Sequence, residues 1–266
     1  MALFYEEWHP AARETILWLH GGGMSGWMWR PQIDRMPEYH HLVPDLPEHG
    51  KSQRERPFSI QKSAEQLARL IEQHAHYSRA HVVGISLGAQ VACELIARFP
   101  DRVGRAVLSG TLVRPSPGAT GPLSRSLAEL TLRAYMPLRN ARFLVEASMR
   151  SNRIPERFRA EVVADTRRLT MGTFRRAVQQ RNLGFRLPDG LAQVAVPTLV
   201  VAGELERPVI RQSAQDLVGA LPHAQGAIAQ GLGHSWNLED PDRFAAMVRA
   251  WLTDQPLPEG LVPLHP

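Results

Sequence analysis

The sequence has one cysteine, Cys93, in 266 residues. That excludes an intramolecular disulfide and any metal site built from several thiolates. Lysine is almost missing as well, with Lys51 and Lys62 its only occurrences, so the formal net charge of +5 is carried by arginine. No apolar run reaches the roughly 18 residues that a membrane-spanning helix needs. The opening residues, from Met1 to Glu7, hold no basic stretch leading into an apolar one. No secretory signal is therefore expected, and the cytoplasm is the expected compartment. Glycines are plentiful but never arranged as Gly-x-Gly-x-x-Gly before a downstream acid, nor followed by Gly-Lys-Ser/Thr, which argues against nucleotide-phosphate loops. Internal repeats and low-complexity segments are also missing.

What is present is an ordinary apolar fraction of 44%, enough for a sizeable core. Short apolar runs rich in β-formers predict strands at residues 15–19, 41–45, 105–109 and 224–229, at the run Val82-Val83 that enters the turn at Gly84, and within residues 197–206. Helical periodicity predicts helices at residues 59–74, 87–98, 209–221 and 241–252. Strand, loop and helix in repetition predict an α/β fold: a mostly parallel central sheet flanked by helices. From Leu112 the pattern changes. Pro115, Pro117, Gly118, Gly121 and Pro122 read as a hinge-like linker, and residues 124–136, 139–151, 155–169 and 171–183 read as successive helices with no strand between them. The expected organisation is a core in two parts, residues 1–111 and 188–256, an all-helical lid inserted at 112–187, and a loose proline-rich tail at 257–266. Leu123, Leu127, Leu130, Tyr135, Met136, Phe143, Met149, Met171 and Phe174 would be shared between the pocket roof and helix packing.

Between Leu112 and Arg186 the chain holds 15 arginines against 5 acidic residues. Such a cluster can attract nucleic acid, anionic lipid or an acidic substrate. No recognition motif accompanies it, so its plain reading is arginine on the solvent faces of helices. Neither a nucleic-acid nor a membrane partner is expected. A small-molecule substrate is, and an anionic one would suit a basic lid.

The most informative stretch is Gly84-Ile85-Ser86-Leu87-Gly88, between a predicted strand and a predicted helix. A serine at the tip of such a turn sits on a strained backbone with its hydroxyl clear of the sheet. The helix that follows favours negative charge at its N-terminus. His20-Gly21-Gly22-Gly23 also ends a strand and offers bare backbone N–H groups. Asp45 closes the next strand and reads as a turn-stabilising carboxylate rather than a catalytic acid. Cys93 falls on the buried side of its helix and reads as core, and Trp29 as packing beneath the glycine loop.

Taken together, the chain resembles the α/β-hydrolase fold superfamily along nearly its whole length. The resemblance rests on His20-Gly21-Gly22-Gly23, on residues 45–52 (Asp-Leu-Pro-Glu-His-Gly-Lys-Ser), on Gly84-Ile85-Ser86-Leu87-Gly88, on Gly203-Glu204-Leu205-Glu206 and on Gly233-His234-Ser235-Trp236, in that order. It implies Ser86 as nucleophile, His234 as general base and then acid, and Glu206 as the acid that orients the histidine, with Glu204 in reserve. The family commonly has aspartate at the position of Glu206, and often glycine at that of Glu48. The resemblance further implies an oxyanion hole from the backbone N–H groups of Gly22 and Leu87, with Gly23 as second choice for the former, and substrate contacts at Gly23 and Trp236. It implies neither metal nor organic cofactor. The expected reaction is hydrolysis of a small carboxylic ester or lactone through an acyl-enzyme. The alternatives are carbon–carbon bond hydrolysis of an anionic keto acid, and a non-catalytic ligand receptor on the same fold.

Overall fold

Side chains in the central strands alternate between two helix layers. In the computed structural model, which describes residues 3–114, 122–178 and 185–265, Leu17 and Leu19 of β2 (Thr15–Leu19) face one layer, while Ile16 and Trp18 face the other. β4 (Ala80–Ile85), β5 (Val103–Ser109) and β6 (Thr198–Gly203) repeat this: Val82, Leu108 and Val200 turn to the first side, Val83, Val107 and Leu199 to the second. Both faces are apolar because both are covered, as a parallel sheet requires. The first layer is α2 (Ile60–His74), α3 (Leu87–Arg98) and α8 (Pro208–Ala220). The second is α1 (Arg30–Ile33), α9 (Trp236–Glu239) and α10 (Pro241–Leu252). Asp240 caps α10 by accepting the N–H of Arg243 at 3.0 Å, with Pro241 in the first turn, where its missing N–H costs nothing.

With β1 (Tyr5–Trp8), β3 (His40–Pro44), β7 (Ala224–Ala229) and β8 (Leu261–Leu264), the described residues form a sheet of eight strands in the order β1-β3-β2-β4-β5-β6-β7-β8. The six from β3 to β7 run parallel, and both edge strands are antiparallel. The edges are where the structure departs from the pattern read in the sequence. β1 pairs with β3 although two of its four residues are glutamates; a solvated edge tolerates them. The tail expected to be loose instead carries β8, registered along β7 from Ala229↔Leu261 to Gly226↔Leu264. Pro263 is compatible with this strand because β8 is outermost and one side of it pairs with nothing.

Between β5 and β6 come α4 (Pro122–Leu138), α5 (Arg142–Asn152), α6 (Arg159–Arg168) and α7 (Met171–Val178). Pro122 opens α4 rather than belonging to a linker; Pro115, Pro117, Gly118 and Gly121, and residues 179–183 of the last expected helix, lie outside the described residues. Among the described residues no helix is long and apolar enough to cross a membrane. Arginines of this region mostly have partners within the fold: Glu129 takes Arg133 and Arg175, Glu146 takes Arg142 and Arg159, and Arg139 donates to the carbonyls of Met136 and Thr166.

Two buried carboxylates tie these helices to the sheet. Asp165 of α6, 3% exposed, accepts the Ser25 hydroxyl at 2.8 Å and the Trp27 indole N–H at 2.7 Å. Glu48 sits at φ 66° with its side chain fully buried, and both its oxygens accept from the guanidinium of Arg176 on α7. Glutamate where the family often has glycine therefore has a physical reason: it reaches the helices above. Arg176→Ala would orphan a buried charge and is expected to cost about 3 kcal/mol. Glu48→Gly on top of it removes the orphan and suits a positive φ, so the double variant should recover most of the loss. Urea unfolding of the three proteins checks this.

Candidate active site

Ser86 sits where β4 stops and α3 begins. Its backbone takes φ 55° and ψ −114°, a conformation that costs a non-glycine residue about 1–3 kcal/mol. Hydrogen bonds on both sides pin it: its N–H donates to the Ser109 carbonyl at 2.9 Å, and its own carbonyl accepts from Ala89 and Gln90. Position 88 must be glycine, because a Cβ there would lie 2.1 Å from the Leu19 carbonyl oxygen. That close approach brings the loop after β2 beside the serine, and a Cβ on Gly21 would be 3.8 Å from that of Ser86.

The shape of this glycine loop depends on His20. Its buried ring donates from Nδ1 to the Gly21 carbonyl at 2.9 Å and accepts the Leu46 N–H on Nε2 at 2.9 Å. Only the neutral tautomer can do both, and burial pushes the His20 pKa down to about 4. Gly22 and Gly23 line the cavity beside Ser86. Among the described residues, none accepts a hydrogen bond from the N–H of Gly22, Gly23 or Leu87; Leu87 opens α3, where helix geometry leaves the N–H free. These N–H groups are thus unoccupied donors in the neighbourhood of Ser86.

β6 and β7 deliver the other two side chains. Glu206 follows β6 in a tight turn, with Oε2 accepting the Gly203 N–H at 3.0 Å and Oε1 hydrogen-bonded to Nδ1 of His234. Glu206 is buried while the His234 ring is 26% exposed, so the carboxylate anchors an imidazole whose other nitrogen is available. Glycine at 203 permits the contact, since a Cβ there would lie 2.5 Å from the Leu232 carbonyl. Glu204 points elsewhere and accepts the Gly231 N–H at 2.8 Å. Of the two acids, Glu206 is the one hydrogen-bonded to the histidine.

Trp236 is a correction. It is fully buried, its indole N–H donates to the Ser109 hydroxyl at 2.9 Å, and its ring packs on Phe244. It cannot touch substrate; it braces the loop carrying His234 from behind. Trp29 is likewise buried, 4.9 Å from Trp18 between ring centroids. Asp45 accepts the N–H groups of Gly26 and Lys51, each at 2.7 Å, as a turn carboxylate does. Cys93 is buried, and desolvation pushes its thiol up to about 12.

Two cavities meet at Ser86 and His234. One, about 500 Å³, runs beneath α4 to α7 and mixes apolar and polar surface in similar amounts, with Met24, Tyr135, Leu144, Val162, Leu169 and Phe174 as its apolar walls. The other, about 300 Å³, lies between α5, α8 and the Glu206 turn and is predominantly polar. Of the expected roof residues, Tyr135 and Phe174 line the larger cavity, Met149 packs between helices, and Leu130 and Phe143 face solvent. The end of α5 is tied to the histidine loop: the Ser235 N–H donates to the Asn152 carbonyl at 3.2 Å, and Arg153 pairs with Glu239. Among the described residues no group of three or more His, Cys, Asp or Glu side chains is placed to hold a metal ion.

The model of the "Alpha/beta hydrolase family" matches residues 16–247 of the chain. The chain belongs to the alpha/beta hydrolase family. An AB hydrolase superfamily protein of Gibberella zeae is 31% identical over 97% of this chain and 86% of its own. The pimeloyl-[acyl-carrier protein] methyl ester esterase of Vibrio vulnificus is 28% identical over 86% of this chain and 90% of its own. Among solved structures, the enol-lactonase of Burkholderia xenovorans LB400 superposes with a TM-score of 0.75 at 20% identity, over 94% of this chain and 96% of that one.

Three groups around the site of this alpha/beta hydrolase carried no signal in the sequence: Asp165, Arg176 and Arg207. The first two sit in arginine-rich helical sequence and acquire meaning only against Ser25, Trp27 and Glu48. Arg207 was overshadowed by the acid beside it.

His20, His41 and His49 are all buried with pKa values pushed down to about 4 from an ordinary 6.5. They take up protons on unfolding wherever the pH lies between those values, so their contribution to stability is lost as pH falls through that window. Burial raises Asp45 and Asp165, which act in the opposite sense. Burial also lowers His40 and His81 and raises Glu94; with five histidines against three carboxylates, the thermal midpoint is expected to fall from pH 7 to pH 5. His20→Gln should make that slope shallower by about one proton, measured by calorimetry at pH 7, 6 and 5.

Proposed function

We propose that this alpha/beta hydrolase is a serine hydrolase that cleaves a small carboxylic ester or lactone, with Ser86, His234 and Glu206 as its triad. The observation that carries the reading is Ser86 held on a strained elbow at the junction of two cavities, beside an imidazole tethered by a buried carboxylate. A serine hydroxyl is a poor nucleophile until a base takes its proton. Nε2 of His234 is that base. Glu206 on Nδ1 fixes the tautomer that leaves Nε2 free to accept, and stabilises the imidazolium that results.

Attack by Oγ of Ser86 on the carbonyl carbon gives a tetrahedral intermediate whose oxyanion is met by the N–H groups of Leu87 and Gly22. Removing one such donor typically costs on the order of 10² to 10³ in rate. The imidazolium then protonates the departing oxygen, leaving an acyl-Ser86. Water, deprotonated by the same histidine, attacks the acyl carbon, and Ser86 leaves with its proton restored. Helices α4 to α7 act as a lid that keeps an apolar portion of substrate out of water. Tyr135 and Phe174 supply its inner wall, and Gly23 contributes to the floor. The names of the Vibrio esterase and the Burkholderia enol-lactonase agree with ester or lactone chemistry.

Three variants test the triad on p-nitrophenyl esters of increasing acyl length. Ser86→Ala is expected to lower kcat by on the order of 10⁴ or more. Glu206→Gln should lower it by on the order of 10² to 10⁴, because the amide no longer enforces the tautomer. Glu204→Ala should stay within about threefold, because that carboxylate serves only a turn. Fluorophosphonate labelling of wild type, lost in Ser86→Ala, identifies the nucleophile without assuming a substrate. A folded wild type that neither labels nor turns over would overturn the assignment.

A further inference from the structure

The smaller of the two cavities has a chemistry of its own. It shares Ser86, His234, Ser151 and Asn152 with the larger one, but none of the glycine loop. Its far side is formed by Leu205, Arg207 and Ile210, where the Glu206 turn enters α8. Four charged groups lie around it or against it. Glu206 is committed to His234 and the Gly203 N–H. Arg153 is neutralised by Glu239, whose other oxygen accepts the Gly233 N–H at 3.1 Å. Arg207 remains. Its guanidinium has no hydrogen bond or ion pair with any described residue; of these four charged groups it is the one left without a partner, on a residue open to solvent at the edge of the cavity.

The position of that charge along the reaction axis follows from the proton path. The general acid must face the departing oxygen, and the oxyanion must face the glycine loop. A cavity that keeps His234 but lacks the loop therefore lies on the leaving-group side, and the larger cavity beneath the helices holds the acyl side. We propose that the smaller cavity is the subsite for an anionic group, a carboxylate or phosphate, on the leaving half of the substrate, with Arg207 as its counter-charge. The preferred substrate is then an ester with an apolar acyl group and an acidic alcohol component. Planar bidentate recognition suits guanidinium and carboxylate particularly well. This inference rests on the serine hydrolase reading above.

The test compares 4-carboxyphenyl butyrate with its neutral isostere 4-carbamoylphenyl butyrate. The expected result is a kcat/KM ratio in favour of the carboxylate of about five- to fiftyfold, expressed mainly in KM and weakening with salt. Arg207→Gln should collapse the ratio towards one, and Arg207→Lys should keep part of it. Moving the carboxylate to the acyl half, in 4-nitrophenyl hydrogen suberate, should remove the benefit. Equal ratios in wild type and Arg207→Gln, or an Arg207-dependent preference for the acyl carboxylate, would overturn the subsite while leaving the hydrolase reading intact. If wild type hydrolyses neither butyrate, that reading fails first, and calorimetric binding of both esters to Ser86→Ala protein, with and without Arg207→Gln, still decides the subsite. Arg207-dependent tighter binding of the carboxylate supports it; equal affinities overturn it.

Discussion

The contact on which the site depends is the passage of α3 across the end of β2, at Gly88 and Leu19. With only hydrogen on the α-carbon of residue 88, the helix start can lie against the Leu19 carbonyl. Everything near the serine follows from that proximity. The glycine loop is drawn beside Ser86, and the strained φ of Ser86 is held by bonds to Ser109, Ala89 and Gln90. The strain at one residue is small compared with the burial of β4 and α3, which together contribute the centre of the core. A locally unfavourable backbone thus persists because its surroundings over-determine it.

A second set of constraints positions the helices above the sheet, and it is electrostatic. Asp165 reaches down to Ser25 and Trp27, Arg176 to Glu48, and Arg153 to Glu239. Each pairs a group from the turn after α5, from α6 or from α7 with a loop or short helix that follows a strand of the sheet. Two of the acids, Asp165 and Glu48, are almost wholly removed from water, where an unpaired charge is expensive. The cost of losing the partner is what makes the docking geometry specific. The arginine-rich composition acquires a structural meaning here: among the described residues, most of those guanidinium groups pair with carboxylates or carbonyl groups within or between the helices.

The legibility of this site in the sequence follows from where its parts lie. Ser86, Glu206, His234 and the glycine loop each follow directly on a strand, and a parallel sheet brings the carboxyl ends of its strands to one rim. Their order along the chain therefore already implied their meeting. Trp236 was misread because adjacency to His234 suggested the cavity, whereas the short turn of α9 rotates the indole inward to Ser109. The edge strands were missed for a different reason. β1 is half glutamate and β8 holds a proline, so neither shows the apolar pattern of a strand buried on both faces. Glu48 looked like a loop detail until Arg176, 128 residues away, supplied its partner.

The two cavities differ in a way that bears on how such a site would discriminate. Apolar walls separate acyl groups weakly, because each methylene changes transfer energy by only about 0.8 kcal/mol. A guanidinium without a partner at the edge of the second cavity acts differently, since an anionic ligand there gains an ion pair that a neutral one lacks. Selectivity in this fold would then come less from the roof, which the insertion sets by packing, than from one turn. That turn carries Glu206 and Arg207 side by side, so the carboxylate bonded to His234 and the proposed anion-binding cation grow from the same few residues of backbone. A displacement of the turn would shift the anchor points of both together.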